Sequence, residues 1–164
     1  MTERERMLSG QLYDAGDETL TAARGRAKRL TWRYHQLDPT DWDSRTQILQ
    51  ELLGHLGEDS WIEPPFRCDY GTQISIGDHF FANYDCIFLD VAPITIGNRV
   101  MFGPRVCLYT AGHPLDAATR NTGTASSWQK MSPPSFLASR PLKPSGRPEK
   151  NAPNWSFFPP TMTD

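Results

Sequence analysis

The sequence contains only three cysteines, Cys68, Cys86 and Cys107, and none of them belongs to a C-x-x-C pair. An odd number of widely spaced cysteines argues against a disulfide framework and against a cysteine zinc site, so we expect a reducing cytoplasm and no bound metal. No stretch approaches the roughly 18 apolar residues that a membrane-spanning helix needs. The charged N-terminus is followed by no apolar run, so we also expect no secretory signal.

The chain also lacks a strong excess of charge of either sign. Its formal net charge is −2 and its isoelectric point is about 6.1, which argues against nucleic acid or an anionic membrane as a partner and favours a small molecule or a protein. The sequence has no G-x-G-x-x-G, Walker A or G-x-S-x-G motif, so it offers no support for dinucleotide, nucleotide-triphosphate or serine-hydrolase chemistry. A run of basic residues is interpreted as a solvated helix face: Arg24, Arg26, Lys28, Arg29 and Arg33.

Residues 1–58 are predicted to form a small helical module. Apolar residues recur at spacings of three and four after Asp17, a good N-cap residue, which predicts one amphipathic helix. A second helix is expected to begin with Thr40 or Asp41 as its cap and to end at Gly57.

Residues 59–123 show a different periodicity. The segments ISIGDHFFANYDCIFLD (74–90) and ITIGNRVMFGPRVCLYT (94–110) align at an offset of twenty, and within each segment the apolar positions step by six. Such a step predicts one short strand and one turn per face of a three-sided coil, with about two coils in this chain. The alternative is an antiparallel sandwich. It also uses short alternating strands, but it does not predict a six-residue step within a twenty-residue repeat.

The chemistry-bearing candidates are few. His113 lies between a glycine and a proline in a loop after the second coil, where functional side chains concentrate, and an imidazole suits general-base catalysis. The other three histidines, His35, His55 and His79, are predicted to have structural or surface roles. Residues 124–164 carry no repeat and are rich in proline and serine, so we expect an irregular, disordered tail.

Several motifs resemble the maltose/galactoside O-acetyltransferases, the sugar-acetylating branch of the hexapeptide-repeat transferases. They are MLSGQLYDAGDETL, WIEPPFRCDYG, FFANYDCIFLDVAPITIGNRVMFGP and YTAGHPLDAATRNTG, and they occur in order over residues 2–123. The resemblance implies a left-handed parallel β-helix preceded by a maltose-acetyltransferase-type helical module. It also implies a homotrimer and transfer of an acetyl group from acetyl-CoA to a sugar hydroxyl.

The resemblance also suggests roles for individual residues. His113 matches the catalytic histidine of the family's T-x-H-P motif, and Asp14, Asn83, Thr72 and Asp90 match candidate acceptor-binding positions. The alternative role of Asn83 is that of a turn residue in the coil, and the alternative role of Asp14 is that of a helix cap.

No cofactor-binding residue is predicted, because the motifs of the coils that would form the acetyl-CoA groove do not follow Gly123. A frameshift or an altered gene end would produce such a change of sequence. The chain is therefore expected to be either a sugar O-acetyltransferase or a non-catalytic remnant that acts as an interaction module, with acetylation of a non-sugar acceptor as a further alternative.

Overall fold

The computed structural model of the protein describes residues 1–112 and 127–130. The N-terminal part contains α1 (Glu3–Ser9), β1 (Tyr13–Asp14), α2 (Glu18–Gln36) and α3 (Trp42–Leu52). Nine short strands follow: β2 (His55–Leu56), β3 (Trp61–Ile62), β4 (Arg67–Cys68), β5 (Ile74–Ile76), β6 (Phe81–Ala82), β7 (Ile87–Leu89), β8 (Ile94–Ile96), β9 (Met101–Phe102) and β10 (Cys107–Tyr109). The last two strands are β11 (Ala111–Gly112) and β12 (Ser127–Lys130). None of the helices in the described part is both long and apolar enough to cross a membrane.

The two helices that the sequence predicts are present as α2 and α3, but α3 is shorter than predicted. The Asp17 carboxylate accepts hydrogen bonds from the amides of Thr19 and Leu20 and so caps α2, and Asp41 caps α3. The predicted end of α3 at Gly57 is wrong, because the helix ends at Leu52 and His55–Leu56 form a strand that pairs with β5. Pairing with a neighbouring strand here outweighs the local helical propensity of the sequence.

Strands β2 to β10 form a left-handed parallel β-helix with three faces. Each face is a three-stranded parallel sheet, in the orders β2-β5-β8, β3-β6-β9 and β4-β7-β10. The offset of twenty is confirmed strand by strand, since Ile74 pairs with Ile94 and Ile76 with Ile96. The chain has three coils rather than the two predicted. The first coil, His55–Cys68, was missed because only Leu56, Ile62 and Cys68 keep the six-residue step there, whereas Gly54 and Ser60 occupy companion positions that are apolar in the later coils.

The predicted inward positions form the core of the β-helix. Ile76, Ala82 and Phe88 of the second coil are fully buried, as are Ile74, Phe80 and Cys86, the companion set. In the third coil burial is less complete, and Val100, Phe102 and Val106 remain partly exposed. The apolar core is therefore continuous from the first coil to the third, and its side chains are less buried in the third coil.

Turns at the corners of the triangle are stacked in register. Asp59, His79 and Arg99 all have a positive φ, between 50° and 58°, and lie twenty residues apart at one corner. Beside them, the Glu58 amide donates to the Asp78 carboxylate at 2.9 Å, and the Asp78 amide donates to the Asn98 side-chain oxygen at 3.0 Å. The second and third coils are thus each joined to the coil before by a side-chain hydrogen bond as well as by strand pairing.

The helices α2 and α3 cover the end of the β-helix at the first coil. Leu49 and Leu52 are fully buried in the same apolar cluster as the coil interior. The Tyr34 hydroxyl donates to the Ile62 carbonyl, and the Nε2 atom of His35 lies 3.0 Å from the Phe66 amide nitrogen. These contacts give His35 the structural role that the sequence predicts.

A small antiparallel sheet lies beside the β-helix, in the order β1-β12-β11. Its central strand, Ser127–Lys130, falls inside the segment that we predict to be irregular, so that prediction is wrong for these four residues. Backbone pairing with strands on both sides supplies hydrogen bonds that the local sequence pattern does not reveal. The rest of the predicted tail lies outside the described residues.

Candidate active site

A cavity of about 350 Å³ opens where the helical module meets one corner of the β-helix. It is lined by Tyr13, Ala15, Gly16, Arg24, Asp69, Tyr70, Leu89, Val91 and Ala111. We call it the corner pocket. Its lining combines one cation, one carboxyl group and two phenols with small and aliphatic side chains. Its volume lies within the range of roughly 300–1,000 Å³ that is usual for small-molecule sites.

Arg24 organises the polar side of the corner pocket. Its guanidinium donates to the Tyr70 hydroxyl at 3.0 Å, to the Ala15 carbonyl at 2.5 Å and to the Thr21 hydroxyl at 3.1 Å. These three acceptors come from different parts of the chain and hold the Arg24 side chain in one orientation. The planar guanidinium suits this role because its N–H donors have a fixed geometry. The interpretation of Arg24 as part of a solvated helix face is therefore wrong.

Burial sets the protonation of the groups around Arg24. Burial raises the pKa values of both phenols, Tyr13 and Tyr70, so each keeps its proton and can donate a hydrogen bond. Burial also raises the pKa of the Asp69 carboxyl, while the positive charges of Arg24 and Lys28 act in the opposite direction. The pocket therefore offers donors and acceptors together, which is what a polyhydroxylated ligand requires.

Two predicted acceptor-site residues lie next to the corner pocket. Asp14 is exposed in β1, directly after Tyr13, and its carboxylate accepts a hydrogen bond from the Gly16 amide at 2.7 Å. It is not a helix cap, because Asp17 has that role in α2. Thr72 is exposed in the turn that follows Asp69 and Tyr70. Neither residue lines the cavity, but both lie in segments that do.

Asp90 lies behind the pocket and is fully buried. Its carboxylate accepts hydrogen bonds from the amides of Asp69, Tyr70 and Gln73, at 3.1, 2.8 and 3.3 Å. Burial raises the pKa of Asp90 to about 6, against the effect of these backbone donors. With its oxygens occupied and no exposed surface, Asp90 is placed to hold the backbone and not to touch an acceptor.

Asn83 occupies a different corner. It follows β6, and its side-chain oxygen accepts a hydrogen bond from the Tyr84 amide at 2.8 Å. Asn83 therefore lies at the start of the turn, and the residue with a positive φ at this corner is Asp85. Within one chain, the structure does not bring Asn83 together with Asp14.

His113 lies outside the described residues. The chain reaches it directly from the corner pocket, since Ala111 lines the cavity and Gly112 follows in β11. Within residues 1–112 and 127–130, no group of three or more histidine, cysteine, aspartate or glutamate side chains is arranged to hold a metal ion.

Sequence reasoning missed Tyr13, Arg24, Asp69 and Tyr70 as site residues. The signal for Arg24 was present, because it lies four residues after Leu20 and three before Ala27, on the face that α2 buries. A cation on a buried helix face needs acceptors, and this requirement points to a polar site. Asp69 and Tyr70 belong to the CDYG motif, but nothing local shows that their side chains reach α2.

Comparisons with known proteins agree with this architecture. Residues 6–57 match the family model described as the maltose acetyltransferase hexapeptide capping motif. Galactoside O-acetyltransferase of Escherichia coli (strain K12) is 33% identical over 123 residues, which covers 75% of this chain and 61% of that protein. The chain likewise spans 64% and 61% of the lengths of relatives from Dictyostelium discoideum and Saccharomyces cerevisiae.

Solved structures give the same assignment. A maltose O-acetyltransferase from Clostridium difficile 630 is 46% identical, with a TM-score of 0.76, over 81% of this chain and 69% of that one. A hexapeptide-repeat-containing acetyltransferase from Vibrio cholerae O1 biovar eltor, complexed with acetyl coenzyme A, is 41% identical, with a TM-score of 0.69, over 79% and 68% of the two chains. By its capping motif, its repeat and these likenesses, the chain belongs to the maltose/galactoside O-acetyltransferase family of hexapeptide-repeat proteins.

Proposed function

We propose that the protein is an O-acetyltransferase that moves an acetyl group from acetyl-CoA to a hydroxyl group of a sugar of the maltose, glucose or galactoside type. The observation that carries the proposal is the corner pocket, which has a sugar-compatible lining and lies two residues upstream of His113. The residues that line the pocket include groups that can hydrogen-bond the hydroxyls of a sugar, namely Arg24, Asp69 and the Tyr13 and Tyr70 hydroxyls. Asp14 and Thr72 would contribute from the rim.

In the proposed reaction, His113 acts as the general base. Its neutral imidazole takes the proton from the attacking sugar hydroxyl, whose oxygen then adds to the thioester carbonyl of acetyl-CoA. The tetrahedral oxyanion collapses, the carbon–sulfur bond breaks, and the proton passes from the imidazolium to the leaving thiolate. An ordinary histidine pKa of about 6.5 suits both the removal and the return of the proton near neutral pH.

Acetyl-CoA as the donor is supported by the Vibrio cholerae protein, which is complexed with it. A homotrimer is proposed because Asn83 and the corner pocket lie at different corners of one three-sided coil. A neighbouring copy of the chain is the simplest way to bring Asn83 and the corner pocket together. Light scattering on the full chain tests this assembly, and a monomer that is active would contradict it.

We further propose a cytoplasmic location, as the reduced cysteines suggest.

The activity is tested by acetyl-CoA-dependent release of free thiol with maltose or glucose as acceptor. We expect His113→Ala to lower the rate by about 10²–10⁴-fold, the usual contribution of a general base. His79→Ala is the matched control, because His79 is an exposed histidine at a corner that is not part of the pocket, and its rate should not change.

The competing hypothesis is a non-catalytic interaction module. It predicts a folded, soluble wild-type chain that releases no thiol with any sugar tested. Circular dichroism and size-exclusion chromatography on the same preparation establish folding, so that result would reject the proposed activity and not merely reflect an unfolded sample.

A further inference from the structure

One corner of the β-helix carries a buried polar column. Tyr70, Asp90 and Thr110 lie twenty residues apart, each just after the last strand of a coil, at the corner that forms the pocket. Asp90 is fully buried and Thr110 is 5% exposed, although both side chains are polar. Buried polar groups are costly unless they are hydrogen-bonded, so the partners of these two residues indicate what they do.

Asp90 reaches back to the first coil. Its Oδ1 atom accepts hydrogen bonds from the amides of Asp69 and Tyr70, and the side chains of both these residues line the corner pocket. Its Oδ2 atom accepts from the Gln73 amide at the other end of the same turn, and the Gln73 side chain donates back to the Asp90 carbonyl. One carboxylate thus holds the turn 69–73 in a single conformation.

Thr110 repeats this arrangement one coil later. Its hydroxyl donates to the Leu89 carbonyl at 2.7 Å and accepts from the Ala92 amide at 2.8 Å. Between these two partners lies Val91, and both Leu89 and Val91 line the pocket. Asp90 and Thr110 therefore have the same role: each binds the backbone of pocket residues that belong to the preceding coil.

We propose that Asp90 and Thr110 are positioning residues for acceptor binding, which set the shape of the corner pocket through the backbone without touching the ligand. This inference rests on the proposed function, because it assigns the acceptor to that pocket. It also explains why the Asp90 carboxylate lies beside the pocket but is fully buried: it binds the backbone of the turn and not the ligand.

The fold supplies a matched control at another corner. Asp78 and Asn98 also bind backbone amides of the preceding coil, but none of the residues that line the pocket belongs to that corner. Asn98→Ala should therefore lower the stability of the coil without changing acceptor binding. If these residues acted only through the general rigidity of the coil, substitutions at either corner would weaken acceptor binding. If they position the pocket, only substitutions of Asp90 and Thr110 should do so.

The kinetic test compares Asp90→Asn, Thr110→Val and Thr110→Ser with Asn98→Ala, using maltose and acetyl-CoA. We expect Asp90→Asn and Thr110→Val to raise the KM for the sugar by roughly tenfold, because misplaced hydrogen-bonding partners weaken binding by about that factor. The KM for acetyl-CoA should stay within about twofold, and Thr110→Ser, which keeps the hydroxyl, should retain most sugar affinity. Equal changes in both KM values, or the same effect from Asn98→Ala, would overturn the inference.

A second readout does not depend on activity. Hydrogen exchange of at least one of the Asp69, Tyr70 and Gln73 amides should become about tenfold faster in Asp90→Asn, because the asparagine side chain has one acceptor oxygen where the carboxylate has two, and should not change in Asn98→Ala. Unchanged exchange would overturn the positioning role even if the enzyme proved inactive. A wild-type chain that transfers no acetyl group, with faster exchange in Asp90→Asn, would reject the proposed function but keep the link between Asp90 and the turn. If Asp90→Asn does not fold, the Thr110→Val and Thr110→Ser pair decides through the exchange of the Ala92 amide.

Discussion

The Arg24 guanidinium donates a hydrogen bond of 3.0 Å to the Tyr70 hydroxyl and so joins helix α2 to the first coil of the β-helix. The same side chain lies over the Tyr70 ring, with its central carbon 5.8 Å from the ring centroid. This pair closes the corner pocket on the side of the helical module. The module therefore does more than cover one end of the β-helix, since it supplies one wall of the candidate site.

Replacement of Arg24 should weaken acceptor binding. Arg24→Met keeps the length of the side chain but removes all three hydrogen bonds, so we expect the KM for the sugar to rise by about tenfold and the free energy of unfolding to fall by about 1–3 kcal/mol. Steady-state kinetics and urea denaturation measure the two effects. Arg29→Met is the control, because Arg29 is an exposed residue of the same helix and should change neither. An equal effect of both substitutions would argue against a specific role for Arg24.

The pKa of Asp90 predicts a pH dependence of stability. The folded-state pKa is about 6, compared with an ordinary value of 3.8, so between these values the folded chain retains a proton that the unfolded chain loses. The contribution of Asp90 to stability is therefore greatest below pH 4, falls as the pH rises to about 6, and is constant above that.

Comparison of the wild type with Asp90→Asn isolates this contribution. As the pH rises from 4 to 7, the wild type should lose about 2 kcal/mol relative to the variant, since each unit of pKa shift corresponds to about 1.4 kcal/mol and part of the shift is already expressed at pH 4. Asp69, whose pKa burial also raises, is present in both chains and cancels from the difference. Urea denaturation at several pH values measures it. A difference that does not vary with pH would contradict the raised pKa.

A close contact between coils makes Gly57 sensitive to substitution. A Cβ atom at this position would lie 2.4 Å from the backbone carbonyl carbon of Gly77, and backbone cannot move as freely as a side chain. We expect Gly57→Ala to lower the free energy of unfolding by about 2–3 kcal/mol, as overpacking of a core typically does. Gly103→Ala is the control, because nothing lies within 4 Å of a Cβ atom there, and thermal unfolding should show little change. A stable Gly57→Ala would mean that the first two coils are more loosely stacked than the structure shows.

Phe88 connects the aromatic core across all three coils. Its ring packs edge-on against Phe66 of the first coil and Phe102 of the third, with centroid distances of 5.1 and 5.9 Å. Phe88→Ala should therefore cost about 3–5 kcal/mol, the usual effect of removing a buried phenyl ring. Tyr84→Ala, at a side chain that is 54% exposed, should cost much less in the same denaturation experiment. Similar losses from the two substitutions would show that the core does not depend on this stack.

Periodicity predicted most of the β-helix because each coil repeats the same local requirement. Ile76 and Ile96 occupy equivalent inward positions, and a six-residue step is sufficient to indicate a three-sided coil. The first coil escaped prediction because Gly54 and Ser60 stand where later coils have apolar residues, so one of its two apolar rows is interrupted. The four-residue strand at Ser127–Lys130 has no local signal, since its partners β1 and β11 determine it.

The sequence by itself determined the repeat, the helix caps and the family, because each of these depends on residues that lie close together or in a fixed order along the chain. Only the tertiary structure decided the composition of the corner pocket, since it joins Tyr13, Arg24, Tyr70 and Val91 from four separate segments. The role of Asp90 was decided in the same way. A carboxylate in a motif suggests contact with a ligand, but burial and three backbone donors show that its partners are the turn that shapes the site.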